Sequence, residues 1–287
     1  MSDRKPSTPA DTPAAAGDDI GVVDNPWQGL RAFTDARIGL GRAGISLPTQ
    51  RMLEFQLAHA QAKDAVHWPL DVAALSEQVT DTLDIDAPLR LHSRASDRTE
   101  YLQRPDLGRR LDEDSRRSLD ETADADGSPF DLALVIVDGL SARAIEAHAV
   151  NFVAALTREL EADENDWRCA PLTVVEQGRV AIGDEVGEAL NARAVLVLIG
   201  ERPGLSSPDS LGLYLTWAPK RGISDAQRNC ISNVRPEGLK IDAAAARARY
   251  LLNEARRLEL SGVKLKDRSE DDVIDHDNDD TGNFLTY

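Results

Sequence analysis

Two uninterrupted apolar runs, Leu132–Val137 (LALVIV) and Ala194–Ile199 (AVLVLI), constrain this chain more than any other feature. A run without alternation leaves no face for water, so each must be a strand covered on both sides. Leu211–Trp217 (LGLYLTW) reads as a third such strand, with Leu172–Val175 and Leu89–Ser93 as shorter ones. Helical patterns lie between them. Asp138–Ser141 (DGLS) is a turn with Ser141 as N-cap, after which Ile145, Ala149, Phe152, Leu156 and Leu160 recur at helical spacing. Val180–Leu190 gives a short helical piece. Ile241, Ala244, Ala248, Leu251, Ala255 and Leu258 mark a last amphipathic helix. Strands alternating with helices predict an α/β fold on a doubly wound, mainly parallel sheet.

The rest of the chain surrounds that sheet. Residues 1–24 combine Pro6, Pro9 and Pro13 with small and acidic residues, and are expected to be a disordered tail. Residues 25–88 read as an N-terminal arm and helical region. There Trp27, Leu30 and Phe33 look like anchors, and Gly39, Gly41 and Gly44 give a flexible basic stretch ending at Pro48. Thr49 is expected to cap a helix running to about Val66, with Met52, Leu53, Leu57 and Ala60 as its buried stripe. Residues 89–262 hold the α/β domain. Within it, Asp106 to about Thr122 reads as a charged helix with Leu107, Leu111 and Leu119 inward. Residues 263–287 are an acidic tail.

Composition excludes several classes. The net charge of −17 argues against nucleic acid, which needs a basic face. Eight acids and one Arg in the last 21 residues carry much of it, so the folded part is nearer neutral. No run approaches the roughly 18 apolar residues of a membrane span. No apolar segment follows the first residues, so no secretory signal is expected. Cys169 and Cys230 are too few for a disulfide framework and fit a reduced cytosol.

Open α/β sheets bind ligands at the carboxyl ends of their strands. Two segments stand out there: Gly200–Pro208 (GERPGLSSP) after one buried run, and Asp225–Asn233 (DAQRNCISN) after the third. Such polar segments beside core strands either face water or hold something. As ordinary loops, they would make Glu201 and Arg202 a solvated pair and Cys230 a small core hydrophobe. The residues alone leave both readings open. Phosphate fingerprints (G-x-G-x-x-G or G-x-x-x-x-G-K-[ST]) are absent, which removes support for a nucleotide-dependent oxidoreductase. His59, His67, His92, His148 and His276 are scattered, with no H-E-x-x-H and no G-x-S-x-G elbow. The chain reads as a binding subunit without an active site of its own.

An ordered set of motifs resembles one family. Gly41-Arg42-Ala43-Gly44 with Pro48-Thr49-Gln50, Tyr101-Leu102 with Arg104–Leu111 (RPDLGRRL), Asp138–Ser141, Gly178-Arg179-Val180, Gly200–Leu205 and Cys230–Asn233 are similar to blocks of the ethanolamine ammonia-lyase light chain. The likeness covers about residues 25–262. It implies a Rossmann-like small subunit docked on a large TIM-barrel subunit, with adenosylcobalamin between them. It further implies a complex that converts ethanolamine to acetaldehyde and ammonia through a radical, mostly on the large chain. The cobalamin contacts it implies are Val180, Glu201 and Cys230, within residues 89–262. The competing expectation is a stand-alone corrinoid carrier. Some family members enter a bacterial microcompartment by an amphipathic N-terminal helix. Three prolines interrupt any helical period at 1–24 here, so a cytoplasmic location is expected.

Overall fold

The structure, a computed structural model, describes residues 25–34, 36–122 and 127–269. Both expected disordered segments at the extreme termini lie outside these residues, apart from 263–269. The chain divides into two compact units, 1–53 and 54–287.

In the first unit, Pro26–Phe33 forms a 3-10 helix with Pro26 at its first position. Asn25 organises it, accepting from the Trp27 N–H at 3.1 Å and donating to the Gly39 carbonyl at 2.8 Å. The arm presents its apolar residues outward: Trp27 is 65 % and Phe33 87 % exposed. The helix α1, Thr49–His67, runs from this unit into the second, and Thr49 is its first helical residue rather than its cap. The expected buried stripe is not buried. Met52, Leu53, Leu57 and Ala60 all lie exposed, and Ala65 is the helix's buried residue. Spacing alone reports which residues share a face, not whether anything covers that face.

The second unit contains, in order, α2 (Val72–Leu83), β1 (Leu89–His92), α3 (Arg98–Gln103), α4 (Glu113–Thr122), β2 (Phe130–Val137), α5 (Ala142–Glu161), β3 (Thr173–Glu176), α6 (Ile182–Ala189), β4 (Ala192–Gly200), β5 (Leu211–Trp217), β6 (Arg228–Val234) and α7 (Ile241–Leu258). The expected elements keep their order, and α2, α3 and β6 are additional to them. The six strands form one sheet in the order β1-β3-β2-β4-β5-β6. The first four are parallel; β5 runs antiparallel to β4, and β6 antiparallel to β5. Loop length explains the change of sense. Parallel neighbours need a crossover of a dozen or more residues. Only residues 201–210 join β4 to β5, and 218–227 join β5 to β6. Asp225–Asn233, expected as a polar loop, is therefore a 3-10 turn leading into an edge strand.

Along β4 the side chains alternate between two cores. Ala194, Leu196 and Leu198 join the layer with α2, α5 and α7, whereas Val195, Val197 and Ile199 join the layer with α4 and α6. Every residue of the expected α5 stripe is buried, and Ser141 caps that helix through the Ala144 N–H. Burying each large member, Phe152 for example, contributes on the order of 2 kcal/mol. The charged helix expected from Asp106 starts only at Glu113, because residues 107–112 turn to let Leu111 pair with Ser93; Leu111 and Leu119 are nevertheless buried.

Candidate functional site

β5 is not sealed on both faces. Its sequence alternates, so Leu211, Leu213 and Leu215 face the layer of α5 and α7, while Gly212, Tyr214 and Thr216 turn to the other side. On that side α6, only eight residues long, covers the end near Thr216. It is pinned there by Asp184, which receives both guanidinium nitrogens of Arg228, Nη2 at 2.8 Å from Oδ2. Beyond α6 the sheet face opens: Tyr214 is half-buried and Cys230, its cross-strand partner on β6, is exposed.

Of the three residues singled out from sequence, Cys230 lies on this open face and Glu201 reaches it over Gly212, while Val180 packs elsewhere against the same core layer. Val180, in the turn before α6, shares that layer with Tyr214. Its carbonyl accepts from the Gly183 N–H at 3.1 Å, and its own N–H has no protein acceptor among the described residues. Glu201 follows β4 and takes the Ser210 hydroxyl and the Asn233 N–H, the latter at 3.2 Å, on the single oxygen Oε2. Oε1 has no protein donor among the described residues. It lies over Gly212, where a methyl group would come within 2.9 Å of it. So Glu201 is not a solvated partner of Arg202, and Cys230 is not a core residue. The structure brings a carboxylate oxygen without a protein donor among the described residues, an aromatic ring and a thiol to one sheet face.

Desolvation pushes the Cys230 thiol above its ordinary range; hydrogen bonding to Tyr214 works the other way, and the nearby Glu201 charge adds to the rise. The Tyr214 phenol is pushed up as well, first by desolvation and then by Cys230, Glu201 and Asp225. Both groups are thus protonated at neutral pH. They suit close contact rather than nucleophilic or acid–base work.

The motif residues upstream hold Val180 in place. Tyr101 is buried, its ring 4.8 Å from the Arg98 guanidinium and 4.2 Å from that of Arg179. Its hydroxyl donates to the Gly178 carbonyl at 3.0 Å, and Arg179 N–H donates to the Gly108 carbonyl at 2.7 Å. Beside them Asp138, buried after β2, accepts from the Gly178 N–H at 3.1 Å and from Arg98 at 3.3 Å. Gly139 (φ +60°) lets this turn touch β4: a Cβ there would lie 2.3 Å from the Gly200 carbonyl oxygen.

Burial pushes the Asp138 carboxyl up to about 6, against the pull of Arg98 and the main-chain donors. A carboxyl whose folded value is raised binds more protons in the native state. Its contribution is therefore present below about pH 4 and is lost as pH rises to about 6, a swing of roughly 3 kcal/mol. We expect Asp138→Asn to flatten the urea-midpoint profile between pH 4 and 6. Parallel profiles for both proteins would refute this.

Tyr214, Gly212 and Ser210 were not singled out from sequence. The alternation within LGLYLTW was the available signal, since a strand buried equally on both faces does not place glycine, tyrosine and threonine on one of them.

Residues 24–266 match the family model for the ethanolamine ammonia-lyase light chain (EutC). Among curated proteins, the chain is 57 % identical to the ethanolamine ammonia-lyase small subunit of Pseudomonas putida (strain W619), over 93 % of this chain and 97 % of that protein. It is 55 % identical to the small subunit of Ralstonia nicotianae, over 94 % and 95 % of the two chains. With that of Pseudomonas aeruginosa (strain LESB58) it shares 55 % over 92 % and 95 %.

Proposed function

The chain belongs to the ethanolamine ammonia-lyase light-chain family, and from that premise we propose that its open sheet face is the surface it offers to adenosylcobalamin. The family's enzyme is an adenosylcobalamin-dependent carbon–nitrogen lyase, and the complex deaminates ethanolamine to acetaldehyde and ammonia. A small subunit implies a large-subunit partner, which sets aside the self-contained corrinoid carrier.

The residues present fit the cofactor. Corrin edges carry primary amides, which both donate and accept. Glu201 Oε1 would receive an amide N–H, the Val180 N–H would meet an amide carbonyl, and Cys230 would give close contact. Tyr214 adds an apolar ring between them. When bound, the cofactor supplies homolysis of its cobalt–carbon bond, and this chain's part is to hold and orient it. The observation that carries the reading is the Glu201 carboxylate, held on one oxygen and free on the other over a glycine.

Within this reading residues 89–262 are the cobalamin-binding domain, and the large subunit completes the site from outside. The exposed apolar residues of the arm, Trp27 and Phe33 among them, are a surface on which that subunit docks. Among the described residues no helix is long and apolar enough to cross a membrane. We place the complex in the cytosol, with the ethanolamine-utilisation microcompartment as the other location to test by fractionation.

Glu201→Ala is expected to weaken cobalamin affinity by about 1–3 kcal/mol, the scale of a hydrogen bond to a charged group. Titration of the assembled complex with hydroxocobalamin measures it. An unchanged dissociation constant would overturn the assignment.

A further inference from the structure

The loop that carries Glu201 is tied down from outside, and one of its ties is incomplete. Residues 201–210 close on themselves through Glu201 N–H to the Ser210 carbonyl at 2.9 Å and Gly204 N–H to the Ser207 carbonyl at 3.0 Å. The Ser141 hydroxyl donates to the Pro208 carbonyl at 2.8 Å, and Arg235 Nη1 to the Ser206 carbonyl at 3.3 Å. The last tie is His148 of α5, whose Nε2 stands 3.7 Å from Asp209 Oδ2. The histidine side chain is 8 % exposed, and its Nε2 is buried without a hydrogen-bond partner.

A buried nitrogen without a partner is costly, and 3.7 Å is too long for a hydrogen bond. An inward shift of about 0.7 Å would complete it. Asp209 directly precedes Ser210, whose hydroxyl holds Glu201. A main-chain shift that brings Asp209 onto His148 carries Ser210 with it, and with it the group that holds Glu201.

We propose that His148 and Asp209 are a positioning pair for the cofactor: a ligand seated on Glu201 draws the loop inward and closes the bond between them. This rests on the assignment of Glu201 above. Linkage makes the effect reciprocal, so removing the pair weakens the ligand by as much as the ligand strengthens the pair.

The test titrates hydroxocobalamin into the complex of this chain with its large subunit. Asp209→Ala should raise the dissociation constant about fivefold or more. Asp209→Glu, whose longer side chain spans the gap before any ligand binds, satisfies His148 but leaves the ligand nothing to strengthen. It should therefore raise the constant as Asp209→Ala does. Wild-type affinity in this variant would show a merely structural contact and overturn the pair. In the Glu201→Ala background Asp209→Ala should change the constant by less than about twofold, since the two act through one contact. Asp242→Ala, on the exposed ion pair with Arg158, serves as the control. If Asp209→Ala fails to assemble, His148→Gln takes its place with the same expectation. If Glu201→Ala is without effect, the site assignment fails. If Glu201→Ala weakens binding but the Asp209 and His148 variants do not, or if their effects add fully to that of Glu201→Ala, the site stands and the positioning pair is overturned.

Discussion

Asp184→Ala is expected to destabilise the chain by about 3 kcal/mol, the cost of breaking a buried ion pair, because Arg228 keeps as its carboxylate partner only the exposed Asp225 at 3.3 Å. The Asp184 and Arg228 side chains are 1 % and 2 % exposed. Thr216 Oγ1 and the Ile223 carbonyl, each at 3.0 Å, accept from the same guanidinium. Burial pushes the Asp184 carboxyl above its usual range, against the pull of Arg228. The loss should appear as a lower urea midpoint followed by circular dichroism, together with weaker cobalamin binding. The second effect follows because this pair ties α6 to β6, which carries Cys230. Replacing both partners with apolar residues of similar volume (Asp184→Leu with Arg228→Met) should restore much of the stability. A midpoint for Asp184→Ala equal to the wild type would show that the pair is not desolvated as described.

The purified chain alone is expected to turn over no ethanolamine, and deamination should appear only with the large subunit and adenosylcobalamin. The candidate site holds a carboxylate fixed by two hydrogen bonds, and a thiol and a phenol that are both pushed toward their neutral forms. Neither the thiol nor the phenol is poised near neutral pH for proton transfer or attack. Deleting residues 25–48 should reduce co-purification with the large subunit, because Trp27, Phe33 and Ile45 present apolar surface that one chain leaves uncovered. Robust deamination by the isolated chain, or unimpaired assembly of the deletion variant, would overturn this division of labour.

Much of the fold was legible because burial writes itself into composition. LALVIV and AVLVLI can only be central strands, and the α5 stripe from Ile145 to Leu160 can only face a sheet. The reversal at β5 was also present in the chain, as connections too short for a crossover helix. The site was legible in part, since the motifs at Glu201 and Cys230 lie at the same open sheet edge. Their ordinary physical meaning, though, was ambiguous: a glutamate beside an arginine reads as a solvated pair until Ser210 and Asn233 are seen to claim it.

What the sequence by itself determined is the order of the main elements, from the central strands to α5 and α7, and the residues of those elements that lie inside, since these follow from local period and apolar content. Only the tertiary structure decided where coverage stops. α6 ends its cover at Thr216 and leaves Tyr214 and Cys230 open, and the apolar stripe of α1 lies bare. Exposure depends on what is packed opposite a residue, and that is set by chain segments distant in sequence. Glu185, for instance, is buried on α6 because Arg110, Leu111 and Arg116 come to meet it. No window of the sequence carries that information.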